Sequence, residues 1–555
     1  MKNYLSFFTF IYIVLLFAIN PQLYGQHIRQ LPYESDSTFY RVDLAIKNAS
    51  RCAYLYLEYD SIKSLPDNFG LLTKLRGITF KYCNQVEWDR SVSVMAQLPR
   101  LEYLEITVCK ISKLTDKIGR LSGLRSLVLK TNNFLTIPES TSDLKKLIYV
   151  NLSFNPGMKW DEVFNHLPEQ IQELDLSGNS LWEIPTSAYR FTALEQLHLN
   201  SNNLRVLPSE ISSWSELSYL NLSNNTGINW KSTFDQMLQL KKLSIIKLSN
   251  NQLTELPAKI GLLTELTEIH ADGNMLQGLP ESIGSLTNLR LLNISTSKTG
   301  QTRNQIERFP ASFGKLRNLE VLNMNGTYMI SLPSGISKMN KLKKLYITWC
   351  GLTSLNEIRS CTQLEELHAS HNYFDRIPDW IGELAALRIL KLDGNYFPSK
   401  PIPHILNCPP GLGLLSNLEE LSLNDQLIDK LPDEIGDLKK LKTLNVRNNK
   451  LESLPETITR GKSLRSIELK ANLLITLPDF NSMKSLLELN ISFNPTVNFD
   501  AEAIKFSKIL SLKKLDISFN NISANTLQVI RSQYPGAEVI CLSFDDLNFN
   551  PDKKN

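Results

Sequence analysis

Residues 243–265 read LSIIKLSNNQLTELPAKIGLLTE, and this phrase decides the fold. It follows the pattern L-x-x-L-x-L-x-x-N-x-L and continues as x-x-L-P-x-x-I-x-x-L. About twenty copies run in phase between Cys52 and Asn520, and most of them are about 23 residues long. A period in the twenties is typical of a solenoid, in which each copy covers the core of the next.

Each copy predicts a short strand followed by a turn. The L-x-L core alternates inward and outward, so stacked copies would pair into one parallel sheet. The recurring Leu-Pro pair, as at Leu256-Pro257, suits the edge where the chain turns, because proline fixes φ and lacks an amide hydrogen. We therefore predict an α/β solenoid of about 20 repeats, with a parallel β-sheet on the concave face and short helices or turns on the convex face.

The asparagine that follows each strand predicts a structural ladder. A buried amide must satisfy its donors and its acceptor, and the turning backbone of adjacent copies offers partners. We expect a structural role for these asparagines, including Asn132, Asn202, Asn274, Asn372 and Asn449.

The longer copies carry an aromatic residue five positions after the asparagine slot. These residues are Trp88, Trp160, Trp230 and Phe499, and each begins a stretch with helical spacing. We expect a fuller helix there with the aromatic packed beneath it, since large aromatics usually anchor cores. The alternative is an exposed aromatic row that binds a partner.

The N-terminus reads as a secretory signal. Lys2 supplies a positive start, residues 4–19 are mostly apolar, and the small residue Gly25 precedes the expected cleavage site. An uncleaved anchor is the alternative, but a spanning helix needs about 20 apolar residues. We expect an exported chain with no stable membrane span after cleavage.

The two ends of the repeat array predict caps, which a solenoid needs to cover its open core. A short helix is expected within residues 37–50, and a helix near 527–530 precedes a last strand near 539–542. The predicted organisation is a signal peptide at 1–25, an N-terminal capping segment at 26–51, leucine-rich repeats at 52–522, and a C-terminal cap and tail at 523–555.

Charge disfavours a nucleic-acid partner. The chain has 60 Lys and Arg against 56 Asp and Glu, and no basic stripe stands out. A nucleic-acid surface needs clustered positive charge.

The seven cysteines do not form a disulfide framework. Cys83 and Cys109 occupy equivalent asparagine slots of neighbouring copies, about 4.8 Å apart in a parallel sheet, so a bridge between them is sterically possible. The alternative is that they are buried thiols that fill small interior positions.

No segment is available for catalysis. The sequence outside the repeats is too short for an ordinary enzyme domain and lacks H-E-x-x-H, P-loop and G-x-S-x-G motifs. His368 and His371 lie on one copy but have no further ligands at recognisable spacing. We predict no enzyme activity, no cofactor and no metal.

The pattern resembles the leucine-rich-repeat proteins. The Leu-Pro-x-x-Ile-x-x-Leu variant is similar to the Ras-suppressor, Scribble and plant disease-resistance branch, and Ala45-Ile46-Lys47-Asn48 looks like exported bacterial members. The resemblance covers residues 37 to about 545. It implies a curved horseshoe that binds proteins or peptides on its inner face.

Two aromatic patches are candidate partner-binding surfaces, because tyrosine and tryptophan are favoured at interfaces. The N-terminal patch consists of Tyr54, Tyr56, Tyr59, Tyr82 and Tyr103, with Tyr149 and Phe154. The second patch consists of Tyr346, Trp349, His368 and His371, and the insertions at residues 297–304 and 396–411 bracket it. Insertions in solenoids often mark the binding side. The alternative is that these aromatics only cross-pair on the sheet.

The leading interpretation is an exported, non-catalytic recognition protein of bacterial type that binds a protein or peptide. The alternative is an intracellular signalling scaffold that docks a small GTPase, as the Ras-suppressor resemblance suggests.

Overall fold

The structure, a computed structural model, describes residues 36–59, 61–296, 303–395 and 408–543. Several predicted segments lie outside these residues: the signal peptide, most of both insertions and the C-terminal tail. The chain divides between Ser244 and Ile245 into two compact units.

The first unit stacks short parallel strands, each followed by a helical turn. Its strands are β1 Thr38–Phe39, β2 Tyr54–Glu58, β3 Gly77–Lys81, β4 Tyr103–Thr107, β5 Ser126–Val128, β6 Tyr149–Asn151, β7 Glu173–Asp175, β8 Gln196–His198 and β9 Tyr219–Asn221. Its α-helices are α1 Val42–Lys47, α2 Trp88–Met95, α3 Trp160–His166 and α4 Trp230–Met237. Its 3-10 helices span Asp67–Leu71, Asp116–Arg120, Glu139–Asp143, Thr186–Arg190 and Ile211–Ser213.

The second unit repeats the same design. Its strands are β10 Ile245–Lys247, β11 Glu268–His270, β12 Leu291–Asn293, β13 Val321–Asn323, β14 Lys344–Tyr346, β15 Glu366–His368, β16 Ile389–Lys391, β17 Glu420–Ser422, β18 Thr443–Asn445, β19 Ser466–Glu468, β20 Glu488–Asn490, β21 Lys514–Asp516 and β22 Glu538–Ile540. Its α-helices are α5 Phe499–Glu502 and α6 Ala524–Gln533. Its 3-10 helices span Ala258–Leu262, Glu281–Ser285, Ala311–Lys315, Ser334–Lys338, Asn356–Ile358, Asp379–Glu383, Pro410–Leu414, Asp433–Asp437, Glu456–Arg460, Phe480–Ser482 and Ala503–Lys505.

The strands within each unit pair in parallel and in register. In β13–β15, for example, Leu322 pairs with Leu345 and Leu345 with Leu367. These central leucines are fully buried, whereas the residues on either side of Leu345 are partly exposed. Period-2 alternation therefore orients the strands as the sequence predicts, and the α/β solenoid is confirmed within each unit.

The asparagine ladder is also confirmed. Asn202 is buried; its Oδ1 accepts hydrogen bonds from the amides of Asn179 and Leu181 at 2.9 and 3.0 Å. Its Nδ2 donates to the carbonyls of Leu176 and Leu199 at 3.0 and 2.9 Å. The amide thus ties two neighbouring coils together. Asn132, Asn372 and Asn449 make equivalent bonds.

The helical turns begin where the sequence predicts them. Prolines such as Pro257 and Pro280 lie in extended backbone just before a 3-10 helix. The tryptophans at the starts of α2, α3 and α4 are partly buried, and Trp160 lies 5.6 Å from the Phe164 ring. Phe499 is fully buried. These contacts support packing beneath the helices rather than an exposed row.

Cys83 and Cys109 are buried as thiols. The Cys83 amide donates to Cys109 Sγ at 3.3 Å, and the Cys109 thiol lies 3.5 Å from the Phe80 carbonyl. The hydrogen bond with the neighbouring Cys83 thiol, and then burial, raise the pKa of Cys109. The structure therefore shows buried thiols rather than a disulfide bridge, and the cysteine sulfur takes the place of the asparagine side-chain amide in the ladder.

Candidate functional site

In most copies the residue just before the asparagine slot adopts a left-handed backbone. Its φ is +51° at Tyr59, +57° at Tyr82, +61° at Trp349 and +56° at His371. Many copies place glycine, serine or asparagine there, as at Gly394, since bulky residues rarely adopt positive φ. Aromatic residues at this position are therefore unusual.

Aromatics at this position stack in pairs across neighbouring coils. The ring centroids of Tyr59 and Tyr82 lie 4.3 Å apart, with planes 7° from parallel. Trp349 and His371 lie 4.2 Å apart at 13°, and Phe493 and Phe519 lie 4.2 Å apart at 27°. The coil spacing of about 4.8 Å in a parallel sheet makes such stacking possible.

The N-terminal patch divides between sheet and edge. Tyr103 and Tyr149 are buried in one cluster, and Tyr54 packs against it. Tyr56 is also buried, and its hydroxyl donates to Glu58 at 3.0 Å. Much of this predicted patch is therefore engaged within the sheet.

Tyr59 and Tyr82 form the edge part of that patch. Tyr59 is 71% exposed, Tyr82 is partly exposed, and Lys81 Nζ lies 5.4 Å from the Tyr82 ring centroid. Phe154 is exposed at the same edge position of a later copy. Partner binding by this patch stays a prediction.

The second patch divides in the same way. Tyr346 and His368 pair on the sheet, with ring centroids 4.8 Å apart. The Tyr346 hydroxyl donates to Glu366 at 3.0 Å, and Lys344 forms an ion pair with that carboxylate at 2.9 Å. Trp349 and His371 instead lie at the edge, so the four residues do not form one surface.

We expect His368 to make stability depend on pH. Burial, with a smaller contribution from Lys391, lowers its pKa from 6.5 to about 4, against the opposing effect of Glu366. Between these values the unfolded chain binds a proton that the folded chain does not, so stability present above pH 6.5 is lost as pH falls towards 4.

A His368→Gln variant should remove this contribution. Urea unfolding at pH 7 and at pH 4.5 measures the free energy of unfolding of both proteins. Between these pH values the unmodified protein should lose up to about 2 kcal/mol more of this free energy than the variant, since one pKa unit corresponds to about 1.4 kcal/mol. Identical losses would show that His368 titrates normally in the folded state.

The stacked pair Trp349 and His371, which we call the edge pair, lines a cleft of about 800 Å³ in the second unit. The coils of β12–β15 form it, and Trp349, 64% exposed, supplies much of its aromatic surface. Its lining residues include Thr296, Arg303, Glu307, Asn325, Tyr328, Thr348, Gly351, His371 and Tyr373. We call this the aromatic cleft.

Gly351 leaves a gap between two tyrosines. Its φ is +81°, and a Cβ built on it would lie 3.9 Å from Tyr328 Cε2 and 3.8 Å from Tyr373 Cε2. These are ordinary van der Waals distances, so the two tyrosine rings flank the glycine without a side chain between them. Tyr328 is 66% exposed, and Ile330, two residues further on, is 80% exposed.

Polar groups surround the aromatic surface. Asn325 Oδ1 accepts from the Thr348 amide at 2.7 Å, which holds the sheet end of the cleft. Arg303 and Glu307 are exposed and follow the first insertion. Burial lowers the pKa of His371, while Asp393 and Asp425 oppose the effect. The cleft is thus suited to binding an uncharged, partly apolar group.

Tyr328, Tyr373, Arg303 and Glu307 were not among the residues predicted from the sequence. An alignment of the copies contains the signal for the tyrosines, because Tyr328, Gly351 and Tyr373 each immediately follow an asparagine-slot residue. Among the residues that the structure describes, no group of three His, Cys, Asp or Glu side chains could hold a metal ion. The described helices include none with the length and apolarity to span a bilayer.

Comparisons with known proteins identify the repeat. A family model described as leucine-rich repeat region matches residues 406–532, and one described as leucine rich repeat matches residues 169–226. Fibromodulin of Oryctolagus cuniculus is 33% identical over 135 residues, which cover 23% of this chain and 87% of that sequence. The chain belongs to the leucine-rich-repeat family.

The chain is also similar to other known proteins. Disease resistance-like protein DSC1 of Arabidopsis thaliana is 41% identical over 76 residues, and this match covers 14% of the chain and only 6% of that protein. The plant peptide hormone receptor RGFR1, solved in complex with RGF2, has a TM-score of 0.51 at 19% identity, covering 88% of this chain and 78% of that one. TLR13 in a TLR13–ssRNA13 complex has a TM-score of 0.54 at 21% identity, covering 87% and 69%. These structural likenesses show the leucine-rich-repeat fold.

Proposed function

We propose that this protein is an exported, non-catalytic recognition protein that binds a protein or peptide segment in the aromatic cleft. The observation that carries the proposal is the exposure of Tyr328 and Trp349 on the lining of one concave site. Concave sites lined by aromatics with a few polar groups are the usual form of a ligand site. Exposed aromatic anchors in such sites supply much of the binding energy at protein interfaces.

The ligands of proteins with similar folds support a binding role. RGFR1 was solved with RGF2, and TLR13 with single-stranded RNA. For this chain we favour a protein or peptide over a nucleic acid. Lys and Arg barely outnumber Asp and Glu over the whole chain, and the cleft lining includes both the cation Arg303 and the anion Glu307.

A random peptide library displayed on phage tests the proposal. Selection on the immobilised protein should enrich peptides that bind the unmodified chain and lose affinity for a Tyr328→Ala/Trp349→Ala variant. Circular dichroism and thermal unfolding would establish that the variant stays folded. If enriched peptides bind the variant equally well, or if no peptide is enriched, the cleft is not the peptide site.

A further inference from the structure

In the aromatic cleft, Tyr328 lies one coil before Gly351 and Tyr373 lies one coil after it. Strands β13, β14 and β15 pair in register at Asn323, Tyr346 and His368. Tyr328, Gly351 and Tyr373 each follow five residues later. Tyr328 and Tyr373 are therefore separated by two coil spacings, about 9.6 Å at the backbone.

This spacing matches one regular peptide conformation. A polyproline II helix rises about 9.3 Å per turn of three residues. An α-helix rises about 5.4 Å per turn, and same-face side chains of a strand repeat every 6.8 Å or so. Two ridges about 9.6 Å apart therefore suit the polyproline II repeat better than either alternative.

The width of the gap favours the same occupant. The Cβ position of Gly351 lies 3.9 Å from Tyr328 Cε2 and 3.8 Å from Tyr373 Cε2, so the two rings flank the glycine closely. A whole α-helix is about 10 Å wide and would not enter such a gap. A pyrrolidine ring is much narrower than a helix, so it is the better candidate for this gap.

The edge pair supplies a flat apolar wall beside this gap. Trp349 is held by its stack on His371, so its ring is ordered before a ligand arrives. An indole N–H is a donor, and the carbonyls of polyproline II make no internal hydrogen bonds and can accept one. Grooves lined by aromatics recognise proline-rich segments in this way because the ligand is already extended.

We propose that the aromatic cleft binds a proline-rich segment of the partner in the polyproline II conformation, with a proline ring between Tyr328 and Tyr373. The proposal rests on the proposed function and names the chemistry of its ligand. Arg303 and Glu307, both exposed on the cleft lining, would contact residues that flank the proline-rich core.

The test titrates the full chain with fluorescein-labelled decaproline and measures fluorescence anisotropy. Decaproline should bind, and a Gly-Ser peptide of equal length should bind at least about tenfold more weakly. Tyr328→Ala and Tyr373→Ala should each weaken decaproline binding by about tenfold or more, whereas Tyr328→Phe, which keeps the ring, should stay within about threefold. Trp182→Ala is a matched control, because Trp182 is 58% exposed in the first unit, outside the cleft.

Three outcomes would overturn the proposal: equal binding of decaproline and the Gly-Ser peptide, unchanged binding by both tyrosine variants, or displacement of decaproline by an oligosaccharide but not by unlabelled decaproline. Failure of decaproline while phage-selected peptides still require Tyr328 and Trp349 would remove this inference and leave the proposed function standing. If no peptide of any composition binds, both fall.

Discussion

An Asn274→Ala substitution should lower the free energy of unfolding by about 3–5 kcal/mol, a large effect for one amide. Asn274 is fully buried; its Oδ1 accepts from the amides of Asn251 and Leu253 at 2.8 and 3.1 Å. Its Nδ2 donates to the carbonyls of Leu248 and Ala271, both at 2.9 Å. Alanine leaves the Asn251 and Leu253 amides unpaired away from water, at a cost of about 1–3 kcal/mol each before relaxation. The two carbonyls lose one donor but keep bonds from Asn251 and Asn304.

Urea unfolding, together with hydrogen exchange of residues 251–253, would measure the loss. In a solenoid each coil contacts only its neighbours, so the fastest exchange should appear in the coils adjacent to residue 274. Asn288→Ala is the matched control. Asn288 also bonds to the preceding coil, donating to the Thr264 carbonyl at 3.0 Å, but it is exposed, and its loss should cost less than about 1 kcal/mol. Equal losses in the two variants would show that burial of the ladder is not what makes it stabilising.

Most of the fold follows from the repeat, because a single copy cannot bury its own leucines. The inward position of Leu345 can be read from the L-x-L alternation, and the structure buries it completely. The structural role of Asn274 can be read from its type and place, since a buried amide in a turning backbone needs several partners. Both arguments use local spacing that every copy repeats.

The candidate site is less predictable because its position depends on where each strand ends and its inward–outward alternation of side chains stops. Tyr346 is the last residue of β14, and Trp349 lies three residues later, after the backbone has left the extended region for φ +61°. Period-2 alternation would place residues three positions apart on opposite faces, so it cannot locate Trp349, which this turn carries to the edge. The patch of four residues is therefore two surfaces.

The stacking of several copies also explains why the cleft could not be read from one copy. Tyr328, Gly351 and Tyr373 form a gap only when three coils are stacked in register, and in any single copy each is an ordinary variable residue. The stack of Trp349 on His371 likewise joins two copies. Residues that vary between copies carry the specific site, and the pattern shared by all copies does not contain them.

A Trp349→Ala substitution should weaken a cleft-bound peptide by about 2 kcal/mol, close to thirtyfold in Kd. The indole is 64% exposed and stacked on His371, so its removal takes apolar area from the ligand while the core stays intact. Tyr346→Ala should cost the peptide much less, because Tyr346 packs against His368 and donates to Glu366 on the sheet. Calorimetric titration of both variants with a phage-selected peptide measures the two costs.

Tyr59→Ala is the control for this experiment. Tyr59 occupies the same left-handed position in its copy, stacks on Tyr82 at 4.3 Å and is exposed, but it lies in the first unit. Its loss should leave the peptide affinity unchanged if the cleft is the site. A larger loss of peptide affinity for Tyr346→Ala than for Trp349→Ala would place the binding site on the sheet face instead. The two side chains belong to different surfaces, and a ligand in the cleft contacts Trp349.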